Sequence, residues 1–372
     1  MVARRPALVL ASAIVSVSVT AAGADPAQDW QRIAPADAGF LPGMGDKLDD
    51  AVRTKEFDNL HAVIVARGGK LVLERYYEGE DKRTRGPALG LVKFGPEVKH
   101  DLRSVSKSIV GLLYGIALAD GKVADPDRSL VSQFPAYEDL AADPERARMT
   151  VGHALSMTLG TEWDEGLPYY DRRNSETAMD GAADRYRYVL ERPMVAEPGT
   201  RWTYNGGATA MLAHLISRGS GQPLLDYARE ALFEPLGIAD VEWVADANGE
   251  PFAASGLRMR PRDLAKIGQL VLDGGTWGDA QVVPSDWLDR SFAPRVRTDG
   301  RLEYGYHWWL GDPRDDDRRW MAAFGNGGQS LFIVPSLALV VVTTAGNYNQ
   351  PGSRNLPLAV ISKVVVPALR DR

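Results

Sequence analysis

The chain has 372 residues, 45% of them apolar and 25% charged, with a net charge of −6 and no cysteine. This composition fits a globular chain large enough for a substantial core and two subdomains. It excludes disulfides, thiolate catalysis and zinc–cysteine sites, and without a clustered basic face it argues against a nucleic-acid partner. The five histidines (His61, His100, His153, His214 and His307) are scattered, with no His-x-x-x-His pair. No dedicated metal site and no cofactor is therefore expected.

Residues 1–24 read as a targeting segment. Arg4 and Arg5 form a charged start, residues 7–19 an apolar stretch, and Ala22-Gly23-Ala24 a small-x-small cleavage site. The apolar run falls short of the ~20 residues a membrane span needs. The expectation is export to the periplasm or beyond, with no stable membrane insertion after cleavage; the alternative is a retained anchor.

Beyond it, residues 48–57 carry a helical pattern after a start signal at Ala34-Pro35-Ala36-Asp37. Residues 61–66 and 71–77 are strands joined at Arg67-Gly68-Gly69-Lys70, a hairpin signature. Residues 79–100 are polar and rich in glycine and basic residues, which predicts a surface loop. Residues 104–120 form an amphipathic helix with Leu112, Leu113, Ile116 and Ala117 inward and Gly121 as its stop. Gly111 and Gly115 each cost this helix about 1 kcal/mol. They follow Ser104 and Lys107 up the same side, which predicts close approach by another element.

Helices are predicted over 151–157, 180–190, 208–218, 224–233, 261–272, 284–293 and 356–369. Residues 160–174 form an aromatic, acidic loop, with Glu162, Asp164 and Glu165 expected in solvent. Strands are predicted over 304–310, 320–324, 331–334 and 339–345. Strands at both ends of the chain, with helices between, predict an α+β fold. One antiparallel sheet with flanking helices comes from residues 25–100 and 255–372, and a mostly helical domain from 101–254. The site is expected in the cleft between them.

Three stretches carry chemistry. Ser104-Val105-Ser106-Lys107 places a hydroxyl and an amine on one helical face, at a helix N-terminus. A chain this long contains about one Ser-x-x-Lys by chance, and the bland alternative is an N-cap serine with a solvated lysine. Here the motif opens a strongly apolar helix, where desolvation is expected to lower the lysine pKa and make it a base. Tyr204, in Trp202-Thr203-Tyr204-Asn205-Gly206-Gly207, follows a Pro198-Gly199 turn and is a candidate proton shuttle or a core tyrosine. Gly325-Asn326-Gly327-Gly328-Gln329-Ser330 enters a strand. It is either a plain turn or an edge whose backbone N–H forms an oxyanion hole with that of Ser104.

In this order and at these distances, the three stretches resemble the serine β-lactamase and penicillin-recognising superfamily. The similarity is greatest to its class C-like branch, which holds β-lactamases, D-Ala-D-Ala carboxypeptidases, esterases and 6-aminohexanoate-dimer hydrolases. Met149-Thr150-Val151-Gly152-His153-Ala154-Leu155, Pro198-Gly199-Thr200 and Leu232-Phe233-Glu234-Pro235-Leu236-Gly237 share the resemblance, which spans residues 35–370. It implies a β-lactamase/transpeptidase-like fold and acyl transfer to water from an amide or ester, with a short linear amide oligomer as one candidate substrate. It implies Ser104 as nucleophile, Lys107 as proton acceptor, Tyr204 as shuttle, and the N–H groups of Ser104 and Gln329 as oxyanion hole. Tyr169, Tyr170, Asn205, Asn326, Gly327, Gly328 and Trp308 are candidate substrate contacts, with Trp308-Trp309 as an apolar wall.

Two positions depart from the family pattern. Tyr-x-Asn has Gly206 in place of its asparagine, and the third motif begins with Asn326 instead of a cation. These departures resemble the amide- and ester-hydrolysing members. The rival readings are a β-lactamase or D-Ala-D-Ala carboxypeptidase, which needs a cation near Asn326, and a non-catalytic peptidoglycan-binding protein, which an absent oxyanion geometry or a Lys107 turned from Ser104 would favour.

Overall fold

The structure, a computed structural model, describes residues 30–311 and 319–370; the expected export segment lies outside them. Its strands are β1 (Leu60–Arg67), β2 (Lys70–Tyr76), β3 (Glu78–Lys82), β4 (Ala88–Lys93), β5 (His100–Asp101), β6 (Glu242–Trp243), β7 (Leu257–Met259), β8 (Thr276–Trp277), β9 (Ala280–Gln281), β10 (Val296–Arg297), β11 (Glu303–Tyr304), β12 (Trp309–Leu310), β13 (Met321–Gly325), β14 (Gln329–Val334) and β15 (Leu339–Ala345). Its helices are α1 (Met44–Arg53), α2 (Val105–Ala119), α3 (Glu138–Ala141), α4 (Val151–Leu155), α5 (Ser175–Asp180), α6 (Arg185–Leu190), α7 (Gly206–Ser220), α8 (Leu224–Ala228), α9 (Pro261–Leu272), α10 (Ser285–Phe292) and α11 (Asn355–Ala359).

An antiparallel eight-stranded sheet runs β10-β11-β12-β13-β14-β15-β1-β2. Its centre joins the two ends of the chain: β1 pairs with β15, Ile64 opposite Val342 and Val65 opposite Val341. Each carries an apolar run, residues 62–66 in β1 and 339–342 in β15, because both faces are covered. Helix α9 packs on β15, β1 and β14, and α2 packs on β13 and α7. No helix among the described residues is long and apolar enough to cross a membrane.

The two glycines of α2 are contact points, as their cost in helix propensity predicts. A Cβ on Gly111 would lie 3.2 Å from the His307 side chain, and one on Gly115 would lie 2.0 Å from the Trp287 ring. The helix itself is not amphipathic: Val105 through Ala117 are all buried. It is enclosed on every side, which permits a continuous apolar surface.

Four other expectations are corrected. Residues 79–100 are not a plain loop; β3 and β4 form a hairpin there, and β5 leads into α2. β3 alternates exposed and buried positions, a strand period its charged composition conceals. Residues 180–190 hold two helices, because α5 ends at Gly181 and the Asp184 side chain caps α6 by accepting from the Arg187 N–H. Residues 304–310 fold back as the β11–β12 hairpin, with His307 at a φ of 60° and its N–H bonded to the Leu155 carbonyl. Residues 356–369 change helical type: α11 widens to π geometry over Val360–Val365 and tightens to 3-10 over Val366–Ala368.

Candidate active site

Ser104 sits at the start of α2, directly after Arg103, whose φ of 50° bends the chain into the helix. That strained residue is held by its guanidinium, which donates to the Lys82 carbonyl at 2.6 Å and lies 4.1 Å over the Tyr348 ring. Ser104 Oγ makes no capping bond to its own helix. It faces Lys107 Nζ at 3.1 Å instead.

Lys107 is enclosed, with a side chain only 1% exposed. Its ammonium has three N–H groups. They find three acceptors: Ser104 Oγ at 3.1 Å, the Ala254 carbonyl at 3.1 Å and Glu176 Oε2 at 3.4 Å. Burial is the largest single influence on its pKa and pulls it down. Glu176, Tyr204 and Glu165 together outweigh burial, and the net shift is upward. The expectation of a desolvated, basic lysine is corrected: this lysine is held as a cation.

The carboxylates responsible come from the loop and helix beyond Gly160. Glu176 lies in the first turn of α5 and is buried. A Cβ on Gly206 would stand 2.1 Å from Glu176 Oε2, so the glycine that replaces the family's asparagine leaves the space this carboxylate occupies. Glu165 is not a solvated acid as its sequence context suggests. It accepts from the Gly206 N–H at 2.5 Å, Trp163 Nε1 at 2.6 Å and the Tyr169 hydroxyl at 2.9 Å. Burial and the neighbouring Glu176 push its pKa up to about 7, against the pull of Lys107.

Ser104 stands where two cavities meet. One is walled by residues 82–86, Arg103, Tyr169, Tyr170 and Tyr348; the other by Glu165, Tyr169, Tyr204, Gly325, Asn326 and Arg354. Tyr204 stands across the second cavity, its ring centroid 4.9 Å from Lys107 Nζ and 5.9 Å from that of Trp309. Gly325 brings the third motif into place: a Cβ there would lie 2.4 Å from the Leu102 carbonyl, two residues before Ser104.

Tyr169, Tyr170 and Asn326 thus reach the cleft, and the other proposed contacts do not. Asn205 is buried and caps α7, its side chain accepting from the Ala208 N–H at 3.0 Å. Gly327 and Gly328, at φ of 100° and 101°, form the turn between β13 and β14 without lining either cavity. Gln329 is fully buried, its side chain bonded to the Ala345 backbone at 2.7 and 3.0 Å. The wall at that turn is Gly325 and Asn326. Trp308 is buried against Phe292, while Trp309 faces the cleft, since neighbours on an extended chain point to opposite sides.

Sequence reasoning left the missing cation unplaced. Arg354 supplies one. Its guanidinium lies 4.6 Å over the Trp309 ring and 6.0 Å from that of Tyr204, in the cavity that holds Ser104 and Asn326. It forms no ion pair among the described residues. Glu176 and Arg354 lie 72 to 250 positions from Ser104, and no local spacing marks either of them.

Known proteins share this arrangement of chain. Residues 57–361 match the sequence model of the beta-lactamase family. The chain is 25% identical over 352 residues to the 6-aminohexanoate-dimer hydrolase of Paenarthrobacter ureafaciens, covering 89% of this chain and 82% of that protein. It is 27% identical over 225 residues to the esterase EstB of Burkholderia gladioli, covering 58% of this chain and 55% of that one. The simvastatin synthase of Aspergillus terreus superposes with a TM-score of 0.68 at 17% identity, over 88% of this chain and 98% of that one. With an antiparallel sheet, flanking helices and a match over most of its length, the chain belongs to the beta-lactamase family and is a serine hydrolase with the β-lactamase/transpeptidase-like fold.

Proposed function

We propose that this enzyme hydrolyses linear amides or esters through an acyl-serine on Ser104. The observation that carries the reading is the Ser104 Oγ–Lys107 Nζ contact at 3.1 Å, at the junction of two cavities. One cavity takes the acyl part and the other the leaving group. Ser104 Oγ adds to the carbonyl carbon, and its proton passes to the Tyr204 hydroxyl as Tyr204 gives its own to the departing nitrogen or oxygen. Lys107, already charged, does not take that proton; it orients Oγ and offsets the developing oxyanion charge. The Ser104 N–H, one of the free donors at the start of α2, is the first oxyanion donor. The backbone at Gly325–Asn326, which lines the cavity where Gln329 does not, supplies the second. Water then attacks the acyl-serine with the proton transfers reversed.

The relatives named as a 6-aminohexanoate-dimer hydrolase and an esterase support an amide or ester substrate. Arg354 suits a substrate carrying a carboxylate. The same residue favours a second reading, a β-lactamase or D-Ala-D-Ala carboxypeptidase, because it brings a cation to the cavity of Asn326. The contact between Lys107 and Ser104 counts against a purely binding protein. We further propose that the protein is exported, on the strength of its first 24 residues.

A fluorophosphonate probe followed by intact mass tests the nucleophile. One adduct on wild type and none on Ser104→Ala is the expected result. A folded wild type with no adduct, or an adduct that persists on Ser104→Ala, overturns it. Linear amides, esters and β-lactams, each with and without a carboxylate, then separate the two substrate readings. Arg354→Ala should raise KM for the carboxylate-bearing members alone.

A further inference from the structure

Behind the wall of the first cavity, three residues far apart in sequence converge: His61 on β1, Asp81 on β3 and His100 on β5. All three are buried, and one donor atom from each falls within a sphere of mutual distances no greater than 4.8 Å. Two imidazole nitrogens face each other here, His61 Nδ1 and His100 Nε2, 2.8 Å apart.

Their hydrogen-bond partners fix both tautomers. His100 Nδ1 lies 2.9 Å from the Asp101 carbonyl, an acceptor, so this nitrogen carries the proton. His61 Nε2 lies 3.1 Å from Asn59 Oδ1. The Asn59 amide cannot be turned, because Oδ1 accepts from the Glu80 N–H at 2.9 Å and Nδ2 donates to the Glu80 carbonyl at 3.0 Å. His61 Nε2 therefore also carries its proton. The two inner nitrogens, each without a partner but the other and Asp81, are left facing across a gap that needs a positive charge, a shared proton or a metal ion.

We propose that His61 Nδ1, His100 Nε2 and Asp81 Oδ1 bind a divalent first-row metal ion, zinc being the best match to two imidazoles and a carboxylate. Metal-bound imidazoles donate their second N–H to carbonyl groups, and metal-bound carboxylates are themselves hydrogen-bonded. Both features are present: the two outward N–H groups meet oxygen acceptors, and Asp81 Oδ1 accepts from the Tyr348 hydroxyl at 2.6 Å. A tetrahedral zinc keeps its donors about 3.3 Å apart. The imidazoles therefore part slightly and the carboxylate, now 3.9 Å from His100 Nε2, closes in. Tyr348 lines the cavity beside Ser104, so an ion enters past its ring.

The test uses the purified protein, stripped with a chelator and then titrated with zinc or cobalt(II). One zinc per chain retained through gel filtration is expected. A rise in Tm of roughly 5 °C at hundredfold excess over Kd is also expected, as is a visible cobalt spectrum of tetrahedral nitrogen–oxygen type. His100→Gln and Asp81→Asn should lose all three. Asp81→Asn keeps an acceptor for Tyr348, so it carries the comparison where His100→Gln fails to fold. A folded wild type that retains no zinc overturns the proposal, as does retention undiminished in both variants. A low-field imidazole proton resonance without metal uptake also overturns it, and assigns the gap to a shared proton.

Discussion

Lys107 has an acceptor for each of its three N–H groups, and only one of these acceptors, Ser104 Oγ, is a reacting atom. The other two fix where the charge sits. Glu176 does more than fix it: a buried ammonium beside a buried carboxylate keeps its proton, whereas an unpaired one sheds it. Glu176→Gln keeps the shape and removes the charge. It should lower kcat/KM by about tenfold, 1.4 kcal/mol of transition-state stabilisation. The acid limb of the pH–rate profile should move with it, since Glu165 loses the neighbour that raises its pKa. An unchanged profile would show that Glu176 serves only packing. Ser104, Lys107 and Tyr204 were legible in the sequence because a spacing of three on a helix and a tyrosine on a turn are local patterns. Glu176 was not, because its partner, the space over Gly206, exists only once α5 and α7 have packed.

At the scale of elements, α2 shows why two glycines sit in the middle of a helix. His307 and Trp287 press against its side, and Trp287 Nε1 donates to the Gly111 carbonyl at 3.0 Å. Gly115→Ala gains helix propensity of about 1 kcal/mol. It also drives a methyl into the Trp287 ring, where overpacking costs about 1–3 kcal/mol and more where the ring cannot move. Net destabilisation is expected in urea unfolding; a more stable variant would show that Trp287 can give way. The segment at 79–100 carried the opposite lesson. Its glycines and charges pointed to a loop, yet β3 holds Asp81 inward for Tyr348. Composition cannot show that a charged residue in a strand has a buried partner contributed by a distant segment.

For the whole molecule, the pairing of β1 with β15 joins the two ends of the chain in one open sheet. Two acids beside Glu176 tie fold stability to pH. Glu165, through burial and Glu176, titrates at about 7 in the folded protein against 4.5 in an unfolded chain. Asp180, through burial and Glu176, is raised from 3.8 to about 7 as well. Below both values the unfolded and folded states are equally protonated. As pH rises through the window from about 4 to 7 the unfolded state loses these protons first, so stability falls, and the loss is complete above about 7. Tm measured across that range should decline less steeply in Glu165→Gln than in wild type; parallel curves would remove Glu165 as a cause. The sequence by itself determined the hairpin at Gly68-Gly69, the apolar runs of the central strands, the helix opened by Ser104 and the order of the three motifs, because each depends on periodicity or spacing within a few turns of chain. Only the tertiary structure decided that Lys107 lies between Ser104 and Glu176, that Trp309 and not Trp308 faces the cleft, that Arg354 reaches the cavity of Ser104, and that His61, Asp81 and His100 meet. Each of these depends on which distant segments share a buried space, and that is settled by packing.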